Sequence, residues 1–389
     1  MKQFIAQRIR QLPPYIFEIL DRKRKAIKAQ GKDLIDLSVG DPELMPARPL
    51  RELLKKAIDN PDVHRYPPYK GTKEFCGSIS QWYKRKGVSV NPETDIWALI
   101  GSKEGIAHLI WAVVNPGDIV LVPDPGYPAY RSAIILAGGR IAPMPLSESN
   151  GFLPNLKAIK PHIARRAKLM LLNYPNNPTS ADAPKEFYQD VVRFAKRHNI
   201  IVCQDAAYSE IYFNKPPVSF LAVPGAKDVG IEINSFSKMF SVAGWRAGWA
   251  AGNPDIIKAL GHIKTNIDSG FFTAIQSALA AGLVEPDKIA GASDIRKQYQ
   301  LRRNIFIKGL KEMCFNPIVP DTTFYIWLPL PPGTKSMDFS GRLLEKTYIH
   351  TTPGIGFGKH GEGYIRFSLT APEERLKEAI TRWKKLSAE

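Results

Sequence analysis

Six short apolar runs, at residues 96–100, 119–122, 168–172, 200–204, 231–234 and 247–251, punctuate the middle of this chain with little polar alternation. Stretches of helical period, such as 103–114 and 185–197, fill most of the intervals. Uninterrupted runs of this length are strands buried on both faces, and helices between them supply the cover. The pattern predicts an α/β fold with a mostly parallel sheet, which takes ligands at the carboxyl ends of its strands. Ahead of this region, helical periodicity over 15–30 stops at Gly31, and a short strand at 34–39 runs into the turn Gly40-Asp41-Pro42. Beyond about residue 285 the texture changes to a charged helix (294–313), short strands (323–328 and 364–369) and a final helix (372–386), the makings of a smaller α+β domain. The expected organisation is a large domain over 46–285, inserted between the two parts of a small one, 1–45 and 286–389.

A length of 389 residues, 44% of them hydrophobic, suits two domains with a sizeable core. The net charge of +17 is spread along the whole chain, and its densest run, 21–28, reads as the exposed face of a helix. It is better suited to drawing in small anions than to binding nucleic acid, so no nucleic-acid partner is expected. No apolar stretch is long enough for a bilayer, and residues 1–15 lack the apolar centre of a signal peptide, so no membrane association is expected. Three scattered cysteines (Cys76, Cys203, Cys314) and seven histidines without ligand spacing argue against disulfides and metal, and fit a reducing cytoplasm.

Residues 234–246 read Asn-Ser-Phe-Ser-Lys-Met-Phe-Ser-Val-Ala-Gly-Trp-Arg and follow a predicted strand. An imine-forming lysine has to be partly desolvated for its amine to be available. Lys238 is flanked by Ser235 and Ser237, with Arg246 eight residues on, a set of donors and fixed charge that suits a phosphate dianion. The run resembles the cofactor-lysine segment of the fold-type I pyridoxal-phosphate aminotransferases, the aspartate aminotransferase superfamily, whose motifs recur here in order over essentially the whole chain. That resemblance implies pyridoxal 5′-phosphate held as a Schiff base on Lys238, a seven-stranded sheet in the large domain, and amino transfer between an amino acid and a 2-oxo acid.

The other site residues follow from the same resemblance. A carboxylate beside a pyridine nitrogen keeps that nitrogen protonated, the role implied for Asp205 in Gln204-Asp-Ala-Ala-Tyr208. Read alone, an aspartate there could equally cap a helix. Tyr208 is implied to donate to the cofactor's ring oxygen. Asn177 joins it from Asn173-Tyr-Pro-Asn-Asn-Pro-Thr179, which is similar to the family's Asn-Pro-Thr-Gly turn except that Ser180 replaces the glycine. Gly101-Ser-Lys-Glu-Gly105 is a strand–helix junction whose amides can hold an anion. The family places the phosphate there, with Ser102 and Lys103 in contact and the Glu104 carboxylate turned away or toward substrate. Tyr127, with Tyr130 as second choice, is implied to stack on the ring. Arg366, in Gly363-Tyr-Ile-Arg-Phe-Ser, is implied to grip the substrate carboxylate, with Asn177, Gly40 and Tyr15 close by. Tyr66, in Tyr66-Pro-Pro-Tyr-Lys-Gly71, resembles the segment that reaches a neighbouring subunit's phosphate, implying a homodimer with shared active sites.

Segments 12–17, 37–43 and 354–366 are most similar to LL-diaminopimelate aminotransferases, so LL-diaminopimelate and 2-oxoglutarate are the expected substrates. Plant-type enzymes of that group carry an acidic residue where this loop has Tyr69 and Lys70. An alanine or aspartate aminotransferase, and a β-lyase of the same fold, stay open. A nicotinamide dehydrogenase is disfavoured, because no Gly-x-Gly-x-x-Gly follows the early strands.

Overall fold

A computed structural model describes residues 4–387. Its strands, in chain order, are β1 (Ile35–Asp36), β2 (Ile96–Leu99), β3 (Ile119–Asp124), β4 (Arg140–Pro145), β5 (Ala167–Asn173), β6 (Ile201–Asp205), β7 (Gly230–Ser235), β8 (Gly248–Gly252), β9 (Tyr325–Pro329), β10 (Ile349–His350), β11 (Thr352–Pro353) and β12 (Tyr364–Ser368). Seven of them form one sheet in the order β2–β8–β7–β6–β5–β3–β4. Its pairs are parallel from β4 across to β7, and β8 runs against both β7 and β2. The expected α/β class with a mostly parallel seven-stranded sheet is therefore present.

Successive side chains of a strand point to opposite faces, and the core divides accordingly. Leu121, Met170, Val202 and Trp249 join one apolar cluster with Phe75, Trp82 and Phe236. Val120, Leu171, Cys203 and Ala250 join another with Leu109, Ile110 and Tyr130. Burial on both faces is why β3 and β5–β8 appear in the sequence as unbroken apolar runs. The edge strand β4 does not: Arg140, Pro143 and Pro145 are exposed. Proline is tolerated at a sheet edge because one row of N–H groups has no partner to lose.

The smaller unit has β9, β11 and β12 in an antiparallel sheet under the helices Ala292–Glu312 and Glu373–Ser387, with Phe306, Phe324, Phe367 and Trp383 in its core. The N-terminal segment joins it: β1 pairs in parallel with β10, and Ile35 and Leu37 enter the same core. The strand expected over 34–39 is a two-residue ladder. Past Leu37, whose N–H bonds His350 O and whose O accepts from Ser368 N, the chain bends away toward the cavity described next.

Candidate active site

Strands β5, β6 and β7 end on Asn173, Asp205 and Ser235, and all three residues line one cavity of about 280 Å³. Lys238, Tyr208, Asn177 and Tyr127 line it from the sheet side, and Ser102, Lys103, Ser237 and Arg246 from one end. Arg366, Gly40 and Tyr15 close it from the smaller unit and the N-terminal segment. The chain thus brings together every expected site residue except Tyr66, which is 90% exposed. A larger groove of about 1010 Å³, between residues 150–164 and the helix Lys185–His198, holds none of them.

Lys238 owes its position to the turn that follows β7. The Ser235 hydroxyl accepts from the Ser237 N–H at 3.2 Å, capping the short helix Phe236–Met239, and the lysine points inward from it. Lys238 Nζ donates to Gly40 O at 2.6 Å. Burial pulls this ammonium down to about 8; Asp41 opposes the shift, and Arg246 and Arg366 add to it. Gly40 has no room for a side chain, since a Cβ there would overlap the Tyr325 hydroxyl.

At the sheet end lies Asp205. Burial lifts its carboxyl to about 6, against the pull of the Tyr130 hydroxyl at 2.7 Å and the Ala207 N–H at 3.2 Å. Tyr130 is therefore the carboxylate's donor. Tyr127, packed edge-on to it with ring centroids 5.5 Å apart, is the tyrosine on the cavity wall. Asn173, a residue the sequence reading passed over, joins two of the motifs: its Nδ2 donates to Asp205 O at 2.9 Å and its Oδ1 accepts from Asn177 N at 2.8 Å. Asn177 Oδ1 in turn accepts from Arg366 Nη1 at 2.7 Å. Arg366 is fully buried, also bonds Ser38 O, and lies 4.2 Å from the Tyr325 ring. Tyr208 and Tyr325 share a hydroxyl bond of 2.7 Å. Tyr325 was likewise missed, because nothing local marks it. It shares a face with Arg366 only because β9 pairs antiparallel with β12 and sets Trp327 opposite Arg366.

The other end is built for an anion. Gly101, at φ 82°, starts the helix Ser102–Val113, whose first N–H groups receive no side-chain cap. A Cβ on Gly101 would come within 2.5 Å of the Arg246 guanidinium, so glycine is what lets that cation close on the helix start. Lys103 turns its ammonium to Tyr15 instead, 3.4 Å from the hydroxyl and 4.5 Å from the ring centre, which leaves its backbone N–H at the anion end. Glu104 points away: Oε2 accepts from Ile100 N at 2.9 Å, and Oε1 accepts from the Lys264 ammonium at 2.9 Å, with the His108 ring beside it. Glu104, His108 and Asp268 have the spacing of a metal site, but Lys264 Nζ, also 3.0 Å from Asp268, is the cation there. Lys264 is 1% exposed. Replacing it with methionine leaves two carboxylates without their cation and is expected to destabilise the fold by about 3–5 kcal/mol. Denaturant unfolding should show that loss, and a second change, Glu104→Gln, should recover part of it.

These groups fit pyridoxal 5′-phosphate. A buried carboxylate short of a cation stands at one end, and uncapped helix amides with an arginine and two serines at the other. Between them sits a lysine whose charge the surroundings disfavour. Residues 32–382 match the family model for aminotransferase classes I and II. The chain is 48% identical to the LL-diaminopimelate aminotransferase of Syntrophobacter fumaroxidans over 98% of both chains. It is 49% identical to that of Aquifex aeolicus, again over 98% of both. Among solved structures it is similar to apo-BacF from Bacillus subtilis, at 38% identity and a TM-score of 0.95, covering 99% of this chain and 98% of that one.

Proposed function

This chain belongs to the class I and II aminotransferases, enzymes that depend on pyridoxal phosphate, and from that premise we propose that it moves the amino group of LL-diaminopimelate to 2-oxoglutarate. The observation that carries the choice of donor is the identity of 48–49%, over nearly the full length, to relatives named for that reaction. An alanine, aspartate or β-lyase reading has no comparable support.

We assign the residues as follows. The anion end (Ser102, the Lys103 N–H, Ser235, Ser237 and Arg246) holds the phosphate. Asp205, supported by Tyr130, holds the ring nitrogen's positive charge, while Asn177 and Tyr208 bond the ring oxygen and Tyr127 covers the ring face. When bound, the cofactor supplies the electron sink for the pair left at the substrate's α-carbon. Arg366 orients the α-carboxylate by a two-pronged bond, with Asn177, Gly40 and Tyr15 bounding the same end. Lys238 Nζ, held on Gly40 O, is placed to be the base that would take the α-proton and hand it on to the cofactor side instead of back to the α-carbon, as net amino transfer requires. An amine pulled down to about 8 is neutral in a useful fraction of molecules near neutral pH, where an ordinary lysine is not. Tyr325, Arg366 and Tyr127 line the cavity into which Lys238 points.

We further propose a homodimer with shared active sites, residues 46–285 forming the cofactor-binding unit. Tyr66 and Tyr69 are exposed, as are Ile267 and Phe272, residues 67–69 lie against Gly270, and the Tyr66 hydroxyl has no hydrogen-bond partner among the described residues. A solution mass of twice 43.4 kDa would be expected. No helix among the described residues is long and apolar enough to cross a membrane, and all three cysteines are free, which supports a reducing cytoplasm.

The test is a panel of amino donors with 2-oxoglutarate. LL-diaminopimelate should exceed alanine and aspartate in kcat/KM by about 100-fold, a discrimination of the size that pairing a substrate's polar group can supply. A faster rate with alanine or aspartate would overturn the donor and leave the cofactor chemistry standing. Product formed without any 2-oxo acid would point to a lyase.

A further inference from the structure

Two residues other than glycine sit in the left-handed region beside the cavity and bond to each other. Ser180 has φ 60° and Thr323 has φ 62°. For a β-branched residue that conformation is a genuine outlier, kept only where the surroundings over-determine it. Both are buried, at 7% and 0% exposure. Their hydroxyls are 2.6 Å apart, and Ser180 Oγ also donates to Tyr325 O at 2.9 Å. Thr323 Oγ1 accepts from Tyr325 N at 3.1 Å, and Thr322 Oγ1 donates back to Ser180 O at 3.0 Å. Ser180 occupies the position at which the resembled turn carries glycine, the residue with no penalty at this φ. A serine there keeps the strain and gains bonds that glycine cannot make.

Those bonds close a ring of contacts around the substrate end. Ser180 lies three residues after Asn177. Asn177 accepts from Arg366, Arg366 packs on the Tyr325 ring, and the Tyr325 backbone is held by Ser180 and Thr323. Tyr325 also meets Tyr208 through its hydroxyl and is the atom group that forbids a side chain at Gly40. We propose that Ser180 is a positioning residue for substrate binding: through Thr323 it ties the Asn177 turn to β9 and so sets the Tyr325 ring against Arg366. This rests on reading Arg366 as the carboxylate site. A turn and a strand whose bonded residues, Ser180 and Thr323, are 143 positions apart in the chain are thereby held in one register, with the Thr322 hydroxyl adding to the tie.

The test uses the cofactor-loaded full chain. Ser180→Gly suits the backbone angle and removes the hydroxyl, so folding and cofactor loading should persist. KM for both amino donor and 2-oxo acid should rise about tenfold, with kcat changed by less than about threefold, the effect expected when net hydrogen bonds to a binding residue are lost. Thr323→Ala should match it, Thr323→Ser should stay near the parent because it keeps the hydroxyl, and the Ser180→Gly/Thr323→Ala pair should be no worse than either single change. A KM for Ser180→Gly within about twofold of the parent, or Thr323→Ser as impaired as Thr323→Ala, would overturn the proposal. Arg366→Lys separates the two readings. It raises KM whether or not Ser180 acts, and an unchanged KM there would sink the carboxylate assignment itself.

Discussion

Lys238→Met is expected to lower transamination by more than about 10⁴-fold, since it removes both the attachment point and the base from a site that otherwise keeps its shape. Borohydride should no longer fix the cofactor to the chain. The same substitution should make the cofactor-free protein more stable at neutral pH. Burial has pulled Lys238 from 10.5 to about 8. Below about pH 8 the folded chain carries this amine protonated and poorly solvated, at a cost of about 3 kcal/mol relative to the unfolded chain. Between pH 8 and 10.5 the folded state has released a proton that the unfolded state still binds, so stability rises with pH and the cost fades. Unfolding of the two cofactor-free proteins in denaturant at pH 7 and at pH 10.5 measures this: the Met variant should lead at the first and lose that lead at the second. Turnover within tenfold of the parent would refute the assignment.

For Asp205→Asn the expected loss in kcat is about 10²–10³-fold, the usual effect of removing a preorganised charge from a buried site. Its stability signature runs the other way in pH. Burial raises this carboxyl from 3.8 to about 6. Below pH 4 it is neutral in both states and costs nothing. As pH rises from 4 to 6 the unfolded chain ionises first, and above 6 the folded state bears a cost of about 3 kcal/mol. The cofactor-free Asn variant should therefore be the more stable protein at pH 7, with the difference shrinking toward pH 4. Cofactor should reverse the order, because a cation beside the carboxylate turns that cost into attraction. Melting temperatures with and without pyridoxal phosphate give the answer, and an Asn variant that gains as much from the cofactor as the parent would remove Asp205 from the ring-nitrogen role. Both substitutions exchange activity for stability, as expected where a site keeps charges in low dielectric.

Much of this site is legible in the chain because its residues hang on local rules. Strands β3 and β5–β8 announce themselves as apolar runs since both their faces are covered, and the positions just past β5, β6 and β7 are where a parallel sheet presents ligand groups. The motifs that hold Lys238, Asp205 and Asn177 lie there, and the roles proposed for these residues come from the resemblance those motifs carry. What the chain hides is whatever depends on partners distant in sequence. Strand β4 goes unseen because an edge strand with Pro143 and Pro145 needs no apolar run. Asn173 looks like a turn residue until β5 and β6 are set side by side. Glu104 looks misplaced near an anion until the Lys264 ammonium, 160 residues on, is brought against it.

The sequence by itself determined the fold class, because buried strands and the helices between them are written in contiguous residues with their own periods, and its motifs carry the family resemblance from which the cofactor and the proposed role of Lys238 follow. Only the tertiary structure decided which tyrosine supports Asp205, where Lys103 and Glu104 point, and that Tyr325 stands over Arg366. Those outcomes depend on strand register and on packing between the N-terminal segment, the large sheet and β9–β12. Register and packing are settled by the energies of burying whole faces, and no single stretch of residues contains them.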